Sequence, residues 1–236
     1  MDWSAAEPSP TEGLRDRKKR LLRQQLSDTA TELFVERGFD AVRVTEVAQA
    51  CGVSEKTVYN YFPTKESLVL DRGEATLAAL RTGLADRAVA PLDAVVRILD
   101  DELRALTSWL GQQPDLARAR TSARRFAELV RTTPALRAHQ RDLADQLVAV
   151  AAELLAKRTG QRADGPQPRI AATALLGLWD VQGRSLATQL ATSRTPEQIR
   201  RTVSADVHRA ARLLAAGLET YGARSGRRGP VVAGPD

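Results

Sequence analysis

Tyr59 and Tyr61 flank Asn60 in the stretch GVSEKTVYNYF at positions 52 to 62, although aromatic residues make up only 4% of the chain. An asparagine side chain can bond to the edge of adenine, and a tyrosine lying along a helix can reach a phosphate with its hydroxyl. Two of the three tyrosines in the sequence are therefore placed where they can fix a helix against DNA.

A helix over this stretch has an inward and an outward face. Val58 and Phe62 share one side at about 100° per residue, so we expect them to face the core. Lys56 then points outward like Asn60, with Thr57 beside it, while the tyrosines lie on opposite flanks. Lys56 suits guanine acceptors, and the methyl or hydroxyl group of Thr57 suits thymine or phosphate. Such a face can equally be a solvated helix surface.

Two short helices joined by a glycine turn must position that face. Thr45 is predicted to cap a short second helix, and Gly52 provides the permissive backbone of the turn. Ser54 is predicted to cap a third helix that runs through Phe62 and ends at Pro63. This is the arrangement of a helix-turn-helix, whose second helix enters a DNA major groove. Capping and phosphate contact are compatible roles for Thr45 and Ser54.

Basic residues lie on both sides of the predicted motif. Lys65 falls in the first turn of the next predicted helix, capped by Thr64, where a cation opposes the helix dipole. A phosphate partner would remove that conflict. A cluster before and within the first helix can add backbone charge, as an arm beside a groove, or can serve only solubility. Its members are Arg15, Arg17, Lys18, Lys19, Arg20 and Arg23.

Composition favours a polyanionic partner. The 236-residue chain is 43% hydrophobic, and its formal net charge is +6. The single cysteine, Cys51, has no partner for an internal disulfide, which indicates a reducing cytoplasm. The first residues lack the apolar segment of a signal peptide, and no window approaches eighteen uninterrupted apolar residues. We expect a cytoplasmic protein that does not span a membrane.

Helical periodicity dominates the chain, so the predicted fold class is all-α. The first helix is predicted from Leu14 to the stop at Gly38, and prolines stand at or near the start of many later helices. Those later helices are predicted at 65–83, 91–111, 115–131, 134–159, 169–191 and 196–221. Four regions are expected: a disordered leader at 1–13, a helix-turn-helix domain at 14–64, a larger helical effector-binding and dimerisation domain at 65–222, and a disordered basic tail at 223–236.

The stretch VRVTEVAQACGVSEKTVYNYFPTKESL resembles the helix-turn-helix signature of the TetR family of bacterial transcriptional regulators. The likeness is close over about residues 20 to 70. It implies that positions corresponding to Lys56 and Asn60 vary with the operator, and that six others commonly touch DNA. Those six are Thr45, Ser54, Thr57, Tyr59, Tyr61 and Lys65. The resemblance also implies about nine helices, a variable helical effector domain, and a homodimer built from the last two helices, here at about 169–191 and 196–221.

The predicted effector domain holds three large aromatic side chains, Trp109, Phe126 and Trp179, which can line a site for an apolar ligand or simply pack in a core. Arg125 belongs to a basic cluster that can meet an acidic ligand group or form a solvated face. The segment PDLARARTSARRFAELVRTTPALRAHQRDL is similar to C-terminal domains of TetR-type regulators associated with acyl-CoA-like ligands.

Three classes of function are compared. The leading one is a ligand-responsive regulator, most simply a homodimeric repressor of a double-stranded, pseudo-palindromic operator with a small-molecule effector. The second is a constitutive or architectural DNA-binding protein. The third is a helical enzyme, but His139 and His208 are isolated in the sequence, and no nucleophile elbow, phosphate loop or zinc-ligand spacing occurs. The sequence therefore predicts no catalytic, metal or cofactor site.

Overall fold

A computed structural model describes residues 13–71 and 73–217, and the regular structure within these ranges is entirely helical. The all-α prediction is therefore confirmed. The predicted leader, apart from Gly13, and the predicted tail lie outside the described residues. The nine α-helices of these ranges are α1 Leu14–Arg37, α2 Val44–Ala50, α3 Glu55–Tyr61, α4 Gly73–Ala85, α5 Pro91–Gln112, α6 Leu116–Thr132, α7 Pro134–Thr159, α8 Pro166–Leu190 and α9 Pro196–Ala215.

Proline marks the start of several helices, as predicted. Pro91, Pro134 and Pro196 each occupy the first helical position, where the missing N–H would have no acceptor within the helix. Helix α8 begins at Pro166, earlier than the predicted start after Pro168. Pro168 still lies in the first turn, so its ring removes no helical hydrogen bond.

The predicted helix at 65–83 is wrong in its first part. A short 3-10 turn at Glu66–Leu68 precedes α4, which begins only at Gly73. Leu68 and Val69 are 0% and 5% exposed and pack against the N-terminal helices, so the apolar pattern here reflects burial and not one continuous helix. At the other end of the chain, α9 stops at Ala215, and the rest of its predicted range from residue 218 onward lies outside the described residues.

Among the described residues, apolar side chains form three cores. The first core contains residues of α1, α2, α3 and the 3-10 turn, together with Val130 from the end of α6 and Leu136 from the start of α7. The second core lies among α4, α5, α7, α8 and α9, and the third among α5, α6, α8 and α9. No helix among the described residues is both long and apolar enough to cross a membrane.

Candidate DNA-binding face

Helix α3 is held in place by its inward side chains. Val58 and Phe62 are both 0% exposed in the first core, as the helical periodicity predicted. The Ser54 hydroxyl accepts a hydrogen bond of 3.1 Å from the backbone N–H of Thr57, which confirms the predicted cap. A helix of seven residues is too short to be stable alone, so this packing and this cap determine where α3 lies.

The turn between α2 and α3 is built on Gly52, as predicted. Its φ of 69° lies in the left-handed region, which glycine adopts without a steric penalty. The N–H of Val53 donates to the carbonyl of Ala48 at 3.0 Å, and the N–H of Gly52 donates to that of Gln49 at 3.1 Å. These two bonds form a Schellman motif, which satisfies the last carbonyls of α2 and directs the chain into α3.

The outward face of α3 carries the predicted side chains. Lys56 and Asn60 are exposed, and Tyr59 is 44% exposed on the flank. Thr57 and Tyr61 are partly buried, and the Thr57 hydroxyl oxygen lies 2.8 Å from that of Ser54. The face therefore presents an ammonium group, an amide and a phenol on one solvent-accessible surface.

Thr45 does not cap α2, contrary to the prediction. The helix begins at Val44, so Thr45 lies inside its first turn, where its side chain is exposed. The capping group is the carboxylate of Glu46, which accepts a 2.9 Å hydrogen bond from the backbone N–H of Arg43. That bond, followed by the hydrogen bond from the Arg37 guanidinium, lowers the pKa of Glu46. Thr45 is exposed, and its contact with DNA stays a prediction.

Lys65 has partners inside the protein. Its ammonium group donates to the carbonyl oxygen of Phe39 at 2.5 Å and lies 4.4 Å from the centre of the Phe39 ring and 5.5 Å from that of Phe34. It also precedes a 3-10 turn and does not occupy the first turn of an α-helix. The predicted conflict between Lys65 and a helix dipole is therefore wrong, while its contact with DNA stays a prediction.

The basic cluster at residues 15 to 23 belongs to α1 and forms no extended arm. Its last member, Arg23, donates to the carbonyl oxygen of Tyr61 at 2.9 Å and lies 4.5 Å from the centre of the Phe62 ring. A cation at the C-terminal end of a helix compensates the carbonyl groups exposed there. Arg23 therefore joins α1 to the end of α3.

The four predicted effector residues do not lie together. Phe126 packs against the first core, Trp179 against the second and Trp109 against the third, while Arg125 is exposed. The Trp179 indole donates to the Glu102 carboxylate at 3.1 Å, a contact between α8 and α5 that the sequence did not indicate.

A groove of about 480 Å³ lies elsewhere, on α9 and the loop before it, and contains none of these four residues. Its lining includes three arginines, which suits a polar occupant better than an apolar one. The lining residues are Arg194, Gln198, Arg201, Thr202, Ala205 and Arg209.

His208 is not isolated in the structure. Its Nδ1 lies 2.9 Å from the backbone oxygen of Ser204, and its Nε2 lies 3.7 Å from the Asp100 carboxylate. The Ser204 hydroxyl donates directly to Asp100 at 2.9 Å, so the three groups connect α9 with α5. Within the described ranges, no group of three or more His, Cys, Asp or Glu side chains is arranged to hold a metal ion.

Two sequence profiles match the chain. The profile of bacterial regulatory proteins of the tetR family covers residues 26–71, which contain the helix-turn-helix, and the profile of the MftR C-terminal domain covers residues 113–219. The chain belongs to the TetR family of bacterial transcriptional regulators. TetR proteins act by binding DNA, and their helix-turn-helix corresponds to α2 and α3 of this chain.

Relatives agree with this assignment over most of the chain. The MftR protein of Mycobacterium tuberculosis, named as a regulator of mycofactocin biosynthesis, is 26% identical over 72% of this chain and 81% of its own. The HTH-type transcriptional regulator TcmR of Streptomyces glaucescens is 31% identical over 63% of this chain and 65% of its own. The crystal structure of NalD, the secondary repressor of the MexAB-OprM multidrug efflux pump in Pseudomonas aeruginosa, has the same fold. It is 19% identical, covers 81% of this chain and 96% of NalD, and has a TM-score of 0.50.

Replacing glycine by alanine should have opposite effects on stability in the turn, at Gly52, and within a helix, at Gly111. Gly52→Ala should lower the free energy of unfolding by about 1 kcal/mol or more, because a side chain at φ 69° is strained. Gly111→Ala lies within α5 with open space beside it, so it should stabilise by about 0.5–1 kcal/mol. Urea denaturation checks both, and equal effects would contradict the role given to Gly52.

The internal partners of Lys65 predict a loss of stability on truncation. Lys65→Ala should lower the free energy of unfolding by about 1–2 kcal/mol, because it leaves the Phe39 carbonyl unpaired and removes the contact with two rings. Lys56→Ala, at an exposed position of the same unit, should change it by less than about 0.5 kcal/mol. Thermal and urea denaturation without DNA measure both, and similar values for the two variants would refute this account.

Proposed function

We propose that this TetR-family chain is a homodimeric repressor, acting in the cytoplasm, that leaves a pseudo-palindromic operator when a small, partly apolar effector binds its helical domain. The observation that carries the proposal is the face of α3, which is anchored by Val58 and Phe62 while Lys56 and Asn60 remain exposed. This is the surface that a major groove requires.

The side chains of the face divide into two roles. Lys56 and Asn60 stand outermost and are proposed to read base edges, because their donors and acceptors match guanine and adenine. Six others are proposed to hold the sugar-phosphate backbone and thereby fix the register of α3. These six are Thr45, Ser54, Thr57, Tyr59, Tyr61 and Lys65.

A homodimer through α8 and α9 is proposed to place two such faces on successive major grooves. Ile170 on α8 is 66% exposed and Leu213 on α9 is 36% exposed, which leaves apolar surface for a partner to cover. The space beside Gly177 and Gly183 of α8 is open, so another helix can approach closely there. A twofold axis would bury these positions against their own copies.

Two connections link the helical domain, α4 to α9, to the DNA-binding unit, α1 to α3. Helix α4 begins at Gly73, shortly after Leu68 and Val69 of the first core, and Val130 and Leu136 enter the same core from α6 and α7. An effector that packs better against one arrangement of these helices shifts the population toward it. The repressor is then released if that arrangement separates the two copies of α3 by the wrong distance for an operator.

The effector is proposed to be partly apolar because the two cores of the helical domain consist mainly of leucine, valine and alanine side chains. An acyl-CoA-like molecule is the specific candidate, on the similarity of the segment at 114–143 to C-terminal domains of regulators associated with such ligands. The alternative is a constitutive or architectural DNA-binding protein without an effector. That alternative gains weight if no compound changes the melting temperature or the DNA affinity.

Selection from a random DNA pool at near-physiological salt tests the proposal. A split palindrome in the bound fraction would support dimeric, sequence-specific recognition, and its genomic copies would identify neighbouring genes and an effector class. Measurable binding without enrichment of any sequence would favour the architectural alternative. Sedimentation of the protein with a single operator duplex then measures how many copies bind.

The base-reading roles predict changes in sequence preference. Lys56→Ala and Asn60→Ala should each relax selection at particular operator positions, at about 1–3 kcal/mol per lost base contact. Repeating the selection with each variant measures this. Unchanged sequence preference in both variants would remove Lys56 and Asn60 from the base-reading set.

The cap at Ser54 allows its phosphate contact to be tested separately. Ser54→Asp keeps a good capping group and should preserve stability, yet its negative charge beside a phosphate should weaken binding to every sequence by about tenfold or more. Ser54→Ala should lower the free energy of unfolding by about 1 kcal/mol. Ser108→Asp, exposed on α5, adds the same charge elsewhere and should leave binding unchanged. Full DNA affinity in Ser54→Asp would mean that Ser54 is only a cap.

A further inference from the structure

Four polar side chains form a layer between the second and third cores. Glu102 follows Leu99 of the second core and precedes Leu103 of the third on α5, and Gln182 lies on α8 between residues that pack in those two cores. Thr76 of α4 and Trp179 of α8 join Glu102 through hydrogen bonds. We call Thr76, Glu102, Trp179 and Gln182 the polar layer.

The Glu102 carboxylate is held by neutral groups. It accepts a 2.9 Å hydrogen bond from the Thr76 hydroxyl on one oxygen and a 3.1 Å hydrogen bond from the Trp179 indole on the other. Within the part of the chain that the structure describes, no basic side chain pairs with it, although it is only partly exposed. A carboxylate offers about four acceptor positions, and protein donors occupy two of those of Glu102.

Gln182 supplies a second unused acceptor. The residue is only 8% exposed, and its Oε1 is buried without a hydrogen-bond partner among the described residues. Buried side-chain oxygens in folded proteins are nearly always paired, so an unpaired one needs an explanation. Trp179 and Gln182 are three residues apart on one face of α8, about 5–6 Å between Cβ atoms, so Gln182 lies one turn from the Glu102 contact.

We propose that the polar layer is the recognition subsite for a hydrogen-bond donor on the effector, an ammonium or hydroxyl group attached to an apolar body. The carboxylate of Glu102 and the amide oxygen of Gln182 both accept, and Leu178 and the Trp179 ring provide apolar surface beside them. A donor bound there would satisfy the orphaned Gln182 oxygen and the remaining capacity of Glu102. Because Thr76 belongs to α4, the subsite also contacts the helix that follows the DNA-binding unit.

The same chemistry excludes anionic groups. A carboxylate or phosphate placed against Glu102 would meet a like charge and could not accept from Gln182 Oε1. An acyl-CoA has no free carboxyl group, because its acyl carboxyl is consumed in the thioester, and it can satisfy the subsite only through the amide, hydroxyl or amino donors of its coenzyme A part. The role of the donor as an effector rests on the proposed function, but its binding can be measured on the protein without DNA.

Three probes with one apolar body and different head groups test the subsite: 4-phenylbutylammonium, 4-phenylbutanol and 4-phenylbutanoate. Calorimetry at pH 7 on the full chain should rank the ammonium and the alcohol above the carboxylate by about tenfold or more in dissociation constant. Glu102→Gln should remove the preference for ammonium over alcohol. Gln182→Leu should weaken both by about tenfold. Asp101→Asn, an exposed acid beside Glu102 in sequence, should change nothing.

The possible outcomes distinguish a failure of the proposed subsite from a failure of the proposed repressor function. Equal or better binding of the carboxylate, an unchanged ranking in both variants, or no binding of any probe at millimolar concentration overturns the subsite. If Gln182→Leu alters only the melting temperature, Gln182 is a packing residue and the assignment is wrong. Failure of operator selection together with the expected ranking would reject the repressor and leave the subsite intact. Release of the selected operator by 4-phenylbutylammonium, lost in Glu102→Gln, would connect the two.

Discussion

Burial of Val58 and Phe62 in the first core is the interaction on which the DNA-binding face depends. Helix α3 has only two turns, so it cannot hold its direction without that packing. Gly52 and Ser54 fix its start, and Arg23 fixes its end through the Tyr61 carbonyl. Each of these contacts lies on the inner side or at the ends of α3. The outward residues Lys56 and Asn60 do not hold the helix in place, so they can be replaced without loss of the helix.

The number of basic side chains in this protein does not measure how many of them bind DNA. The formal net charge of +6 includes Arg23 and Lys65, whose cations lie against carbonyl oxygens and aromatic rings of the same unit. Other arginines form exposed pairs one helical turn from an acid, such as Arg200 with Glu197 at 2.7 Å. The salt dependence of DNA binding should therefore reflect fewer phosphate contacts than the number of basic residues indicates.

The sequence alone was sufficient to predict those elements whose starts, ends and buried faces are marked by local signals. Three local signals are confirmed by the structure: the prolines at the starts of α5, α7 and α9, the helix stop at Gly38, and the four-residue spacing of Val58 and Phe62 on one side of α3. The break before α4 was missed because burial of Leu68 in the first core produces the same apolar pattern as a helix. The three aromatic residues predicted to bind the effector pack against three different cores, because large aromatic side chains fill a core as readily as they line a ligand site, and their contact with an effector stays a prediction. Gln182, a polar residue inside the buried stripe of α8, was the one available signal for the polar layer.

The first core crosses the junction between the two parts of the chain, since Val130 and Leu136 pack among residues of α1, α2 and α3. A helix-turn-helix unit transferred to the effector domain of another regulator would carry a surface shaped for these two side chains. Where the new host supplies smaller or polar residues at the corresponding α6–α7 connection, the transferred unit would be left with a void or a buried unpaired group. Hybrid regulators built from this protein should therefore take their α6–α7 connection from the same parent as their DNA-binding unit.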